Sequence, residues 1–154
     1  MTRMGPVRVL LVDDDPLLLR TGERLLRRFL GAEVVTSSNG REALNRIERG
    51  ERFHLVITDL EMPEMDGLEL LDRLAVVAPE LLVGVWSGCD HAELAAGRAV
   101  DFIVRKTHPN GDLIDAVRAL PGLGGERANG LRSSGVVCRP GTIADRAEKK
   151  RGAS

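Results

Sequence analysis

The sequence predicts a three-layer α/β fold, with helices on both faces of a parallel sheet. Two observations carry this prediction. First, apolar, β-branched runs alternate with segments of helical periodicity up to about residue 120. Second, these runs are nearly continuous in apolar residues, which is typical of strands that are buried on both faces. Strict alternation of such strands with helices predicts right-handed crossovers and a doubly wound sheet.

Caps and glycines mark the first two strand-helix units. Asp15 and Pro16 provide an N-cap and a proline at the first helical position, and Gly31 ends the helix that they begin. Asn39 precedes a second helix with apolar residues at core-facing spacing, which Gly50 stops. The predicted strands of these units are residues 7–12 and 33–37, and the predicted helices are about residues 16–30 and 40–49.

The other three units repeat this order. Asp66 opens a helix that Pro79 closes, Asp90 opens a short helix, and Pro109 introduces a last helix with an apolar face. The predicted strands of these units are residues 54–59, 81–87 and 100–106, and the predicted helices are about residues 66–78, 90–97 and 109–120. Five helices and five strands are therefore expected.

Beyond about residue 120 the apolar periodicity stops. Residues 121–154 are rich in Gly, Arg and Ser and contain more basic than acidic residues. Such a composition does not provide enough apolar surface to form a core. We therefore predict one folded domain, residues 1–121, and a disordered tail, residues 122–154.

Composition and charge exclude several classes of protein. Lys and Arg total 22 against 23 Asp and Glu, and a net charge of -1 gives no global field that favours nucleic acid or an anionic membrane. The apolar runs are too short to span a membrane, and no signal peptide precedes the first strand, so we expect a cytoplasmic protein. Cys89 and Cys138 are too few for a disulfide framework or a metal cluster.

Carboxylates follow two of the predicted strands. Asp13 and Asp14 come directly after the first strand, and Asp59 ends the third. Because ligands of open parallel sheets bind at the carboxyl ends of the strands, these side chains are expected to converge. Three carboxylates that share a pocket at neutral pH need a cation, and an all-oxygen site with room for water suits Mg²⁺.

A hydroxyl and an ammonium group follow the remaining strands. Ser87 ends the fourth strand and Lys106 ends the fifth. A lysine can neutralise a phosphoryl group and a hydroxyl can donate a hydrogen bond to it, so the set suits phosphoryl transfer to a carboxylate. Asp59 is the predicted acceptor, because it is expected near the centre of the sheet.

The order of these residues resembles that of the receiver domain of bacterial two-component response regulators, over about residues 6–120. The fold that this implies is flavodoxin-like, with strand order 2-1-3-4-5. The matching positions are Asp13 and Asp14, Asp59, Met62 and Pro63, Asp66 and Gly67, Ser87 and Lys106.

The resemblance also implies a role for each residue of the metal site. Asp13, Asp14 and Asp59 would bind Mg²⁺, and Glu61 would contribute its backbone carbonyl. Asp59 would accept a phosphoryl group from a phosphohistidine of a sensor histidine kinase or a phosphotransfer protein. Catalysis would be limited to self-phosphorylation and slow self-dephosphorylation.

The switch residues implied by the resemblance are Ser87, as the hydroxyl, and Lys106, as the phosphate partner. The family usually has an aromatic residue three positions before the lysine. Here Ile103 holds that position, and the aromatic residue is Phe102. Either the lysine role falls to Arg105 or the fifth strand contains an irregularity. The family also commonly has a proline after the lysine, where this chain has Thr107.

No output domain is recognisable after the last predicted helix, which suggests a stand-alone receiver. The signal would then leave by protein-protein interaction on the face of the last two helices and the fifth strand, without direct DNA binding or membrane contact. Two other functions stay open. One is a receiver-like scaffold that does not use phosphorylation. The other, which the sequence supports less, is a haloacid-dehalogenase-type phosphatase, suggested by the Asp-x-Asp pattern of residues 13–15.

Overall fold

The computed structural model describes residues 6–88, 95, 98, 100–106, 111–120 and 136–138. Strands and helices alternate along the chain, as the sequence predicted. The strands are β1 (Arg8–Val12), β2 (Glu33–Ser37), β3 (Leu55–Thr58), β4 (Leu82–Ser87), β5 (Phe102–Arg105) and β6 (Val136–Cys138). The helices of the described residues are α1 (Pro16–Leu30), α2 (Gly40–Glu48), α3 (Gly67–Val77) and α4 (Gly111–Arg118).

The strands form one sheet in the order β2-β1-β3-β4-β5-β6. The first five are parallel to one another, which confirms the predicted doubly wound sheet of order 2-1-3-4-5. The sixth strand is an addition that the sequence did not predict. It pairs antiparallel with β5 and lies within the segment expected to be a tail. The rest of residues 121–154 is outside the described residues, so the domain boundary stays a prediction.

Side-chain caps begin three of the helices. The Asp15 side chain accepts a hydrogen bond from the Leu17 backbone N–H (2.9 Å), and Asn39 and Asp66 accept equivalent bonds at α2 and α3. At the end of α1, Gly31 adopts a left-handed conformation with φ 63°, which favours glycine. The predicted helix at residues 90–97 lies outside the described residues, apart from Ala95.

Two apolar cores lie on opposite faces of the sheet. One joins alternate residues of β1, β3, β4 and β5 to α1 and α4, and it includes Leu11, Trp86 and Phe102. The other joins the intervening strand residues to α2 and α3, and it includes Leu10 and Ile103. Burial on both faces explains the continuous apolar runs of the strands. Among the described residues, the helices are too short or too polar to cross a membrane.

Candidate functional site

Three carboxylates converge at the carboxyl edge of the sheet. Val12 is the register partner of Thr58, so the residues that follow these two, Asp13 and Asp59, leave neighbouring strands side by side. One carboxylate oxygen from each of Asp13, Asp14 and Asp59 lies within 4.8 Å of the others. Asp13 and Asp59 are buried and Asp14 is exposed. Oxygen ligands with one open side fit Mg²⁺, which keeps several waters.

Backbone hydrogen bonds fix the two buried carboxylates. The N–H of Asp13 donates to the Ser37 carbonyl (3.1 Å), and the N–H of Asp59 donates to the Val12 carbonyl (3.0 Å). One side-chain oxygen of each is also held. Asp13 Oδ1 accepts from the Asp15 N–H (2.9 Å) and Asp59 Oδ1 accepts from the Leu60 N–H (2.8 Å). The Oδ2 atom of each residue makes the contacts with the basic side chain described next.

Lys106 reaches the same two carboxylates. Its Nζ atom lies 2.6 Å from Asp13 Oδ2 and 3.6 Å from Asp59 Oδ2. The backbone N–H of Lys106 donates to the Ser87 carbonyl (3.0 Å), which ties the tip of β5 to that of β4. The side chain of Arg105, the last residue of β5, is exposed. Lys106, one of the two basic residues proposed from the sequence as the phosphate partner, therefore contacts both buried carboxylates.

Burial and charge oppose each other at Asp13. Desolvation raises the pKa of its carboxyl above the ordinary value of 3.8, and the Asp59 charge adds to that effect. The hydrogen bonds from Lys106 and from the Asp15 N–H, with the Lys106 charge, lower the pKa but do not offset the burial. A cation bound between these carboxylates would favour the charged form of Asp13.

Ser87 lies at the same edge of the sheet. It is the last residue of β4, whose neighbour in the sheet is β3, the strand that precedes Asp59. Its side chain is buried, and its register partner in β5 is Arg105. Glu61 is exposed and lies in the loop that follows Asp59. Metal ligation by the Glu61 carbonyl and a switch role for Ser87 stay predictions.

A glycine shapes the loop that carries Asp59. The N–H of Gly67 donates to the Leu60 carbonyl (2.9 Å), which folds the start of α3 back onto the end of β3. A Cβ atom at Gly67 would lie 2.1 Å from the Asp59 carbonyl oxygen and 2.7 Å from Leu60 Cα. From the sequence, Gly67 was expected only at the start of a helix and as one of the positions that match the family motif. The sequence feature that indicates this role is the Asp66-Gly67 pair, which ends the loop after Asp59.

The structure shows how β5 accommodates an aromatic residue at position 102, one position earlier than the family pattern has it. Phe102 and Ile103 are buried on opposite faces of the sheet, and the pairing of β4 with β5 is regular over these residues. Phe102 occupies the space above Gly84, where a Cβ atom would lie 2.1 Å from the ring. The strand is therefore not irregular. An aliphatic side chain stands on the face where the family usually has an aromatic one. Thr107 is outside the described residues.

Comparison with known proteins identifies related sequences. Residues 9–118 match the family model of the response regulator receiver domain. A protein-glutamate methylesterase/protein-glutamine glutaminase of Rhodospirillum rubrum is 33% identical over 160 residues, which cover 94% of this chain and 41% of that protein. The transcriptional regulatory protein GlrR of Escherichia coli is 46% identical over 79 residues, 51% of this chain and 17% of that protein. This chain thus spans less than half of these two curated relatives.

Solved structures show the same fold. The response regulator protein TrrA of Thermotoga maritima, crystallised in complex with Mg²⁺ and BeF, has 30% sequence identity and a TM-score of 0.67. The similarity covers 73% of this chain and 96% of that one. A response regulator receiver domain protein of Clostridium thermocellum has 22% sequence identity and a TM-score of 0.65. This similarity covers 96% of this chain and 99% of that one.

Proposed function

Because the chain belongs to the response regulator receiver family, we propose that it is a phosphorylation-controlled signalling module whose acceptor is Asp59. The donor is a phosphohistidine of a sensor histidine kinase or a phosphotransfer protein. The observation that carries this proposal is the contact of one ammonium group, that of Lys106, with the carboxylates of both Asp13 and Asp59. Self-phosphorylation and slow self-dephosphorylation are its only catalytic steps.

Mg²⁺ is the proposed cofactor. Asp13, Asp14 and Asp59 would hold it through carboxylate oxygens, and Glu61 would do so through its backbone carbonyl. The ion would neutralise negative charge on the incoming phosphoryl group. An all-oxygen ligand set suits a hard cation such as Mg²⁺.

The protein groups supply orientation and charge for the transfer. Asp59 Oδ1 is fixed by the Leu60 N–H, which leaves Oδ2 as the nucleophile. A bond forms between Oδ2 and phosphorus, the bond from phosphorus to the histidine nitrogen breaks, and the imidazole leaves with the electron pair. Lys106 then pairs with a phosphoryl oxygen, and the Ser87 hydroxyl donates a hydrogen bond to another.

Labelling with a small phosphodonor tests the function. The full chain is incubated with acetyl phosphate, with Mg²⁺ or with EDTA, and its intact mass is measured. We expect one phosphoryl group per chain with Mg²⁺ and none with EDTA. No mass increment under either condition would favour the phosphorylation-independent scaffold. Sustained turnover of a phosphomonoester such as p-nitrophenyl phosphate would instead favour the phosphatase.

We propose that output occurs by protein-protein interaction on the face of β5, α4 and the preceding predicted helix, in a cytoplasmic protein without direct DNA binding. The position of Lys106 directly after β5 supports this, because the proposed phosphate partner then borders this face. Phosphorylation would have to change the affinity of this face for a partner. Deleting residues 122–154 removes β6, the antiparallel neighbour of β5, and should leave Asp59 labelling and phosphorylation-dependent partner capture intact. Loss of that capture alone would assign output to the deleted segment, β6 included.

A further inference from the structure

The chain has one tryptophan, and it lies beside the proposed phosphate partner. Trp86 is the penultimate residue of β4 and is 4% exposed. The Nζ atom of Lys106 stands 5.7 Å from the centroid of its ring. An ammonium group within about 6 Å of the face of an indole is attracted by the ring quadrupole, and Trp gives the strongest attraction of the aromatic side chains.

Packing against α1 and β1 holds the indole in place. Gly22 of α1 faces the ring, and a Cβ atom there would lie 3.0 Å from Trp86 Cζ3 and 2.7 Å from a methyl group of Leu11. The ring therefore fills the space that a glycine leaves between α1 and the sheet. A side chain in such close contact with a helix and a strand forms a rigid surface for the ammonium group.

Lys106 needs a rigid surface because its side chain is long and flexible. Its backbone is fixed by the bond to the Ser87 carbonyl, but four side-chain torsions separate that bond from Nζ. Asp13 holds the ammonium group on one side, and Asp59 lies 3.6 Å away on another. The ring of Trp86 is a third contact.

We propose that Trp86 is a positioning residue, which holds the Lys106 ammonium group between Asp13 and Asp59. This inference deepens the proposed function and rests on it. Two opposite effects follow. Keeping the ammonium group in the pocket speeds phosphoryl acceptance by Asp59. It also keeps the ammonium group on Asp13, a proposed metal ligand, so it weakens Mg²⁺ binding.

A double-mutant cycle separates positioning from packing. Trp86→Leu and Trp86→Phe are each made with Lys106 and with Lys106→Met, and Mg²⁺ affinity and the rate of labelling by acetyl phosphate are measured. With Lys106 present, Trp86→Leu should slow labelling about threefold to tenfold and tighten Mg²⁺ binding, and Trp86→Phe should do so less. With Lys106→Met, neither substitution should have a further effect.

Two results would overturn the inference. Equal losses in both backgrounds would mean that Trp86 acts only through packing. Weaker Mg²⁺ binding in Trp86→Leu than in the unaltered protein would mean that the ring does not hold the ammonium group against the metal site. If the unaltered protein is never labelled, the proposed function fails, while the Mg²⁺ titrations still test the positioning itself.

A second measurement keeps the indole intact and does not depend on a cavity-forming variant. Because the chain has one Trp and no Tyr, its intrinsic indole fluorescence reports on Trp86. Lys106→Met should change the Trp86 emission, and Arg105→Met is the matched control that should not. Unchanged emission in Lys106→Met would overturn the proposed contact.

Discussion

At the scale of single residues, Asp13 combines burial with opposite and like charges. It is 2% exposed and touches Lys106 at 2.6 Å, yet its pKa is raised. The sequence predicted that Asp13, Asp14 and Asp59 would converge, because strand ends share one edge of a parallel sheet. It could not predict which base would reach them, because that depends on side-chain direction at the end of β5.

Relative to the unaltered protein, metal-free Asp13→Asn should gain stability as the pH rises. Because burial raises the folded pKa of Asp13 above 3.8, the folded state binds this proton more tightly than the unfolded state does. Well below 3.8 both states are protonated. As the pH rises through the window from 3.8 to the raised folded pKa, the unaltered protein loses stability relative to the variant. Urea unfolding in EDTA over a pH series measures this, and a difference that shrinks with rising pH would be contrary to it.

Lys106→Ala should reduce the effect of phosphorylation on Trp86 fluorescence while leaving some labelling of Asp59. The reason is that Lys106, at 3.6 Å from Asp59 Oδ2, is the base placed to follow the new phosphoryl charge. Arg105→Ala is the matched neighbour and should leave the response unchanged. The fluorescence change on adding acetyl phosphate and Mg²⁺ is the measurement. A response lost only in Arg105→Ala would reassign the role.

At the scale of elements, the sequence predicted the strands and the helix caps, but not which face of the sheet each strand residue occupies. Continuous apolar runs gave the five parallel strands, and Asp15, Asn39 and Asp66 gave the helix starts, because both signals are local. Adjacent strand residues always point to opposite faces, but which of the two cores Phe102 and Ile103 each enter depends on strand register, which local pattern does not determine. The short β6 was missed because three residues show no periodicity. The packing of Trp86 against Gly22 was not predicted, because Gly22 lies far away in sequence.

Gly67→Ala should both destabilise the protein and impair phosphoryl acceptance. A Cβ atom at this position would meet the Asp59 carbonyl oxygen at 2.1 Å, so the loop that carries Asp59 must move. We expect a loss of about 1–3 kcal/mol in unfolding free energy. Gly31→Ala is the control, because its left-handed φ of 63° also makes it costly, but among the described residues, chain neighbours aside, its Cβ would have no atom within 4 Å. Equal labelling in the two variants would argue against the loop's role.

At the scale of the whole molecule, the stability of the sheet is coupled to charge at its edge. Two carboxylates about 5 Å apart repel each other by on the order of 3 kcal/mol at an effective dielectric of 20, before screening. The ammonium group of Lys106 offsets part of this repulsion. The five parallel strands bring the charges together, because β1 and β3 are neighbours although α1, β2 and α2 separate them in sequence.

Millimolar Mg²⁺ should raise the melting temperature of the protein by a few degrees, since a ligand that binds only the folded state stabilises it. In EDTA, Asp14→Asn should melt higher than the unaltered protein, because one of the three like charges is removed. The same variant should gain less from Mg²⁺. Differential scanning calorimetry measures both shifts. If neither shift is found, the carboxylates do not act as one pocket.

The most direct measurement of the central claim is the intact mass of three proteins after incubation with acetyl phosphate and Mg²⁺. They are the unaltered chain, Asp59→Asn, and Asp72→Asn as a control on the exposed surface of α3. If Asp59 is the acceptor, the unaltered chain and Asp72→Asn gain one phosphoryl group and Asp59→Asn gains none. A phosphoryl group retained by a folded Asp59→Asn would contradict the account.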